Sequence, residues 1–219
     1  MASGKPLYYY TCCRGMETLE GCCVSQGHVY DGPMPSDLTG FVTTIAKGPR
    51  DDGCPGVYAL DCEMCCTTKG FELIRVSVVG WDFEPVYDTL VKPQGKILDY
   101  KTEFSGLTEE DMVGVDTTLA DVQAALLERF SAETLLLGHS LDSDFRALRL
   151  IHTNVVDTCV VFPHNRGFPY KRALRHIVKQ YLDKSIQDGE DGHNSQEDAA
   201  ACMELMLWKV RQGLNEDVL

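Results

Sequence analysis

The chain has 219 residues, 44% of them hydrophobic and 24% charged, enough for one sizeable α/β domain with a small appendage. A net charge of −13 excludes a protein that wraps nucleic acid electrostatically, but not an enzyme that holds one strand end through metal ions. No apolar run approaches the ~18 residues of a membrane span, and the opening Met-Ala-Ser-Gly-Lys carries no secretory leader.

Residues 1–30 are Cys-rich, aromatic and turn-like, with Cys12, Cys13, Cys22, Cys23 and His28 close together. Tetrahedral Zn²⁺ takes four Cys or His ligands, and a segment so poor in core needs a staple. The candidate ligands of a structural Zn²⁺ are Cys13, Cys23 and His28, with Cys12 or Cys22 as the fourth. The spacing resembles small CHORD-like zinc-binding segments; the alternative is a tail of unligated thiols. Such a segment could also take protein partners. Cys54, Cys62, Cys65, Cys66 and Cys159 are scattered through or beside predicted core elements, as reduced thiols of a cytosolic or nuclear protein would be.

Residues 31–55 carry Pro33, Pro35, Gly40, Gly48, Pro49 and Gly53 and read as a connector, with one short apolar stretch at Phe41-Val42. The main domain is expected over 56–213. Its first strand follows Pro55-Gly56, a second spans 71–81 and a third 85–91, with a tight turn at Asp82-Phe83-Glu84 making the last two a hairpin. Leu119, Val122, Leu126 and Phe130 form one stripe of a helix over 117–130. A strand over 134–138, a helix over 140–151, a strand over 154–158 and helices over 170–182 and 195–212 complete the pattern. Three antiparallel strands followed by alternating elements predict a mixed five-stranded sheet with helices on both faces.

The informative residues are acidic. Asp61 and Glu63 stand two apart on the first strand and so share a face. Two buried anions repel unless a cation joins them, and oxygen ligands suit Mg²⁺ or Mn²⁺. Alone, the pair could equally be one solvated acid and one salt bridge. Asp144 opens the helix after the fourth strand and Asp198 opens the last helix, with His193 five residues before it. Either acid by itself could merely complement a helix dipole, with Ser140, Asp142 or Ser195 as N-caps.

Ala-Leu-Asp-Cys-Glu-Met, Gly-His-Ser-Leu-Asp-Ser-Asp-Phe and His-Asn-Ser-Gln-Glu-Asp-Ala resemble, in order, the three motifs of the DEDDh exonucleases, a ribonuclease H-like superfamily. Asp-Cys-Glu-Met and the cysteine segment look most like its RNA exonuclease 1 branch, with the GOR-antigen relatives. The resemblance spans residues 56–212. It implies a metal-dependent 3′→5′ exoribonuclease, nuclear, monomeric and acting on RNA 3′ ends. Asp61, Glu63, Asp144 and Asp198 would hold two ions about 3.5–4 Å apart, and His193 would be the general base. A DNA-preferring exonuclease and a binding module without turnover are the alternatives. Matching positions point to Met64 and Leu107 against the terminal bases, with ordinary core packing an equal alternative for either. Lys171, Arg172 and Arg175 are read as phosphate contacts, because residues 158–182 hold five basic residues and no acid, the alternative being a solvated helix face. Asp157 is expected to support the site without being a ligand, and His139 to be structural.

Overall fold

The computed structural model describes residue 16 and residues 38–48, 53–188 and 192–216. The candidate zinc ligands Cys12, Cys13, Cys22, Cys23 and His28 lie outside the described residues. In chain order the strands are β1 (Val42–Thr43), β2 (Val57–Thr67), β3 (Gly70–Gly80), β4 (Pro85–Leu90), β5 (Ile97–Asp99), β6 (Leu135–Gly138), β7 (Leu150–Ile151) and β8 (Val155–Asp157). The helices are α1 (Thr102–Ser105), α2 (Leu119–Arg129), α3 (Leu141–Leu148), α4 (Thr158–Val161), α5 (Leu174–Leu182) and α6 (Ser195–Glu216). No helix among the described residues is long and apolar enough to cross a membrane.

The main sheet runs β4-β3-β2-β6-β8. The pairs β2–β3 and β3–β4 are antiparallel hairpins, while β6 and β8 add parallel strands. The mixed sheet is the one expected, with a sixth strand, β5, laid antiparallel on the end of β2 at Cys66 and Thr67. That strand was not foreseen because its three residues have no periodicity of their own. β2 outruns β6, which pairs it only over Val57–Ala59, and β5 covers part of the edge left open. Residues 60–65 of β2 thus have no strand partner on that edge among the described residues.

Alternation along β2 feeds two cores. Ala59 packs with Val79, Ile177, Cys202 and Met203 under α5 and α6. Leu60 and Cys62 pack with Val78, Leu126 and Leu148 under α2 and α3. α2 begins with a capping box, Thr118 and Asp121 bonding each other's backbone N–H.

Two helix expectations need correction. The helix expected over 140–151 stops at Leu148, because Arg149 turns left-handed at φ 47° and Leu150–Ile151 pair with β1 instead. The partner comes from the stretch read as a connector, so over 41–47 that stretch is part of the domain: Val42 N–H donates to the Arg149 carbonyl and Lys47 Nζ to those of Leu127 and Glu128. The helix expected from 170 begins only at Leu174, and α1 and α4, each four residues long, escaped sequence reading.

Candidate active site

Asp61 and Glu63 lie on β2 with the parity of Ala59, so they face α6. The ladder slips between Glu63 and Met64, a bulge that places the extra residue, Ile74, on β3 beside the acid. Glu63 is buried and Asp61 half-buried.

Asp144 arrives from α3. Its helix starts with Ser140 in a left-handed turn, φ 60°, whose side chain makes no cap bond. The cap comes from the neighbouring strand β8: Asp157 accepts hydrogen bonds from the N–H groups of Ser140 and Leu141, both at 2.9 Å, and from Cys159 N–H at 2.9 Å. Asp144, buried, accepts from the backbone and thiol of Cys62 on the uncovered stretch of β2. The missing strand is thus what lets a helix-borne acid reach the middle of β2. Asp157 thus braces the helix that carries Asp144, and His139 is bonded through Nδ1 to Thr158 Oγ1 at 2.8 Å.

Asp198 arrives from α6. Ser195, read as a possible N-cap, is instead buried in the first turn with its Oγ 2.7 Å from Ser77 Oγ. Ser77 donates its proton to Asp88 Oδ1 at 2.8 Å, so it accepts from Ser195. Arg75 grips Asp88 through two bonds of 3.0 and 2.9 Å. Ser77 stands opposite Asp61 and Arg75 opposite Glu63 in the ladder. The cap role passes to Asn194, whose Oδ1 accepts from Gln196 N–H at 3.1 Å. Gln187 donates to Asp198 Oδ2 at 2.7 Å, while Asp198 Oδ1 is buried with no hydrogen-bond partner.

His193 stands on the approach to α6, Nδ1 3.8 Å from Asp198 Oδ2. Its backbone N–H donates to the Phe104 carbonyl at 2.7 Å, and the Phe104 ring meets the imidazole edge-on at 6.1 Å. Gly192, at φ +85°, presses on the α1 turn: a Cβ there would come 2.6 Å from the Thr102 carbonyl oxygen and against the backbone of Gly106.

The four acids act on one another. Burial, then the charge of Asp198 and, less, that of Asp144, push the Glu63 carboxyl up to about 8 against an opposing pull from Arg75. Burial and the neighbouring charges raise Asp61 well above the usual carboxylate range, and burial raises Asp144 despite the Cys62 bonds. Burial lifts Asp198 to about 6 in spite of Gln187. His193 is shifted the other way, downward, by burial and by the Arg175 charge. Among the described residues no three His, Cys, Asp or Glu side chains are drawn up as a closed ligand set. The acids nonetheless fit a cation: each opposes its neighbours' ionisation, and a buried carboxylate oxygen stands unpaired.

The residues proposed to touch substrate are less uniform. Met64 is half-buried, packed beside the α2–α3 core. Leu107 is only 8% exposed and packs on Cys65 and Ile74, so it is a core side chain here rather than a presented wedge. Lys171 pairs with Asp142 on α3 at 2.5 Å. Arg172 bonds Gln180 and lies over the Tyr181 ring. Arg175 is exposed, with its charge felt at His193. Sequence reading missed Ser77, Asp88, Gln187 and Cys62, since each acts through a partner distant in sequence.

No family model matches the chain. It is 55% identical over 210 residues to exonuclease GOR of Pan troglodytes, 96% of this chain and 30% of that protein. It is 55% identical over 203 residues to the RNA exonuclease 1 homolog of Homo sapiens, 93% of this chain and 16% of that protein. The chain therefore spans a third or less of the length of these relatives. Among solved structures, the Neurospora crassa Pan2 catalytic unit shares the fold at TM-score 0.64 and 24% identity, over 84% of this chain and 32% of that one.

Proposed function

This chain belongs to the RNA exonuclease 1 and GOR branch of the DEDDh exonucleases, and on that footing we propose that it removes nucleotides from RNA 3′ ends by phosphodiester hydrolysis. The observation that carries the reading is the convergence of Asp61, Glu63, Asp144 and Asp198 beside His193, with one buried carboxylate oxygen unpaired. Hard oxygen donors of this kind suit Mg²⁺ or Mn²⁺, and the four acids would hold two such ions. Bound there, the ions would ease deprotonation of water and offset charge on the leaving 3′-oxygen.

The protein's own part is to hold these acids on three rigid elements and to supply a base. Burial and Arg175 keep the imidazole of His193 unprotonated at neutral pH, so it can take a proton from the attacking water. The carbonyl of Phe104 and the packing of Gly192 on α1 fix the loop from which it reaches. RNA is chosen over DNA from the relatives' name. A nuclear location, action as a monomer, and a structural Zn²⁺ or protein partner at the N-terminal cysteines belong to the same proposal.

The test is degradation of 5′-labelled and 3′-labelled RNA and DNA oligomers with Mg²⁺, Mn²⁺ or EDTA. The expected result is RNA shortened stepwise from its 3′ end with either metal, none in EDTA, and protection by a 3′-phosphate. Cleavage of circular RNA, or turnover in EDTA, overturns it.

A further inference from the structure

Between residues 158 and 182 no Asp or Glu occurs, although the chain as a whole carries a net charge of −13. Within that stretch the turn between α4 and α5 presents aromatic rings to water: Phe168 is 63% exposed and Tyr170 52%. The turn holds itself in shape. Gly167 N–H donates to the His164 carbonyl at 2.8 Å, Tyr170 N–H to that of Gly167 at 3.1 Å, and Arg166 N–H to His164 Nδ1 at 3.1 Å. The His164 and Tyr170 rings stand 5.6 Å apart at 33°, and the Arg166 guanidinium lies over Tyr170 at 5.5 Å.

The turn also has a direction. Lys171, next to Tyr170, reaches Asp142 in the first turn of α3, the helix that carries Asp144. Arg175 follows, exposed, in the first turn of α5. The turn is thus tied through Lys171 to the helix that carries Asp144. Large aromatic surfaces left in water beside the guanidinium of Arg166 suit a ligand that is both flat and anionic. Unpaired nucleotides meet that description, because every base has a face to stack and every linkage a charge.

We infer that the turn around Tyr170 is a platform for the nucleotides upstream of the scissile end, with Phe168 and Tyr170 stacking bases and Arg166 taking a phosphate. It rests on the proposed 3′-end activity for its register, but its test does not need turnover. Binding of a 5′-fluorescein-labelled single-stranded RNA about ten nucleotides long is followed by anisotropy in Ca²⁺, using the whole chain. Both rings are exposed, so their removal leaves the fold intact. Phe168→Ala and Tyr170→Ala should each weaken binding about five- to hundredfold, the usual worth of one stacked base. Tyr170→Trp should restore it. Arg166→Ala should lower the slope of log Kd against log salt by about 0.7 for single strands, a slope that Tyr170→Ala leaves alone. Cleavage of a dinucleotide, too short to reach the turn, should be unchanged in all of them. Unchanged Kd in both alanine variants, equal losses on the dinucleotide or on a blunt duplex, or no binding by the wild type would each overturn the platform. Stepwise 3′ shortening that survives an unchanged Kd would leave the exonuclease reading standing without it.

Discussion

Two helix starts deliver acids to the same strand, and they are held by different chemistry. The start of α3 hangs on an ion: Asp157 takes up three backbone N–H groups around Ser140, Leu141 and Cys159. The start of α6 hangs on neutral hydroxyls, Ser195 on Ser77, with Asp88 behind them neutralised by Arg75. The difference bears on the centre itself. The charge of Asp157 is felt by Asp144 and raises its proton affinity, whereas the serine pair adds no charge beside Asp198. An ionic anchor is the stronger of the two but depends on pH and adds to the negative charge a cation must offset; the hydroxyl anchor adds no charge there, and only Asp88 behind it titrates, held below the usual range.

The comparison supposes one shared centre on β2, and the most drastic way to break it is Asp61→Asn. Turnover on RNA should fall below detection, since the acid facing both helix starts is lost. The fold should not suffer. Asp61 is raised in the folded state, so its ionisation opposes folding at pH values above the unfolded value of about 3.9. At pH 8 the metal-free variant should therefore melt no lower than the wild type, and Mn²⁺ should raise its melting temperature less. Wild-type activity in the variant sinks the shared centre.

His193→Ala strikes the α6 side alone. The rate should drop about 10²–10⁴-fold, the worth of a general base, and the acid limb of the pH–rate profile should flatten. That limb should lie below the ordinary histidine range, because His193 is shifted downward by burial and Arg175. RNA affinity in Ca²⁺ should hardly move. An intact acid limb would assign the proton to another group.

Asp157→Asn tests the ionic anchor. Burial works against the charge of Asp157, but the bonds from Cys159, Ser140 and Leu141 outweigh it and hold its carboxyl below the usual range. A depressed folded value means that the stabilisation is complete above the unfolded value near 3.9 and fades as pH falls through the folded one. The variant should lose about 2–3 kcal/mol at pH 7, typical of charge-assisted bonds, or about 2–4 °C of melting temperature per kcal/mol at this size. The gap to wild type should close below about pH 4. The Mn²⁺ concentration for half-maximal rate should rise, as Asp144 loses its fixed helix. A gap that persists in acid would show that shape rather than charge does the work.

These anchors also mark where sequence reading stopped. Asp61 and Glu63 were legible because period two is a property of any strand, and Asp144 and Asp198 because helix starts have local signatures. Ser195 was legible only as a cap, since its true partner, Ser77, is 118 residues away and nothing in either neighbourhood announces the other. β5 and β7 are two or three residues long and exist because β2 and β1 offer edges, so no window around them carries a signal. At Leu107 the motif position left a base contact and ordinary core packing equally open, and the structure packs it on Cys65 and Ile74.

Ser77→Ala is the smallest perturbation and the sharpest test of the contrast. It leaves the Ser195 hydroxyl buried without its acceptor, worth about 1–2 kcal/mol, while Asn194 and Gln187 still hold the helix and Asp198. Neither serine titrates in the accessible range, so the loss in melting temperature should be the same at pH 5 and pH 8. Asp88 should stay in place, because Arg75 grips it independently of Ser77. If the two starts are separate anchors of one centre, the stability losses of Ser77→Ala and Asp157→Asn should add within about 0.5 kcal/mol. Their effects on the Mn²⁺ requirement should instead combine more than additively, since the same ions would be held from both sides. A strongly non-additive stability loss would mean that the two helix starts move as one unit, and that the sheet edge between them, rather than either anchor, sets where the acids stand.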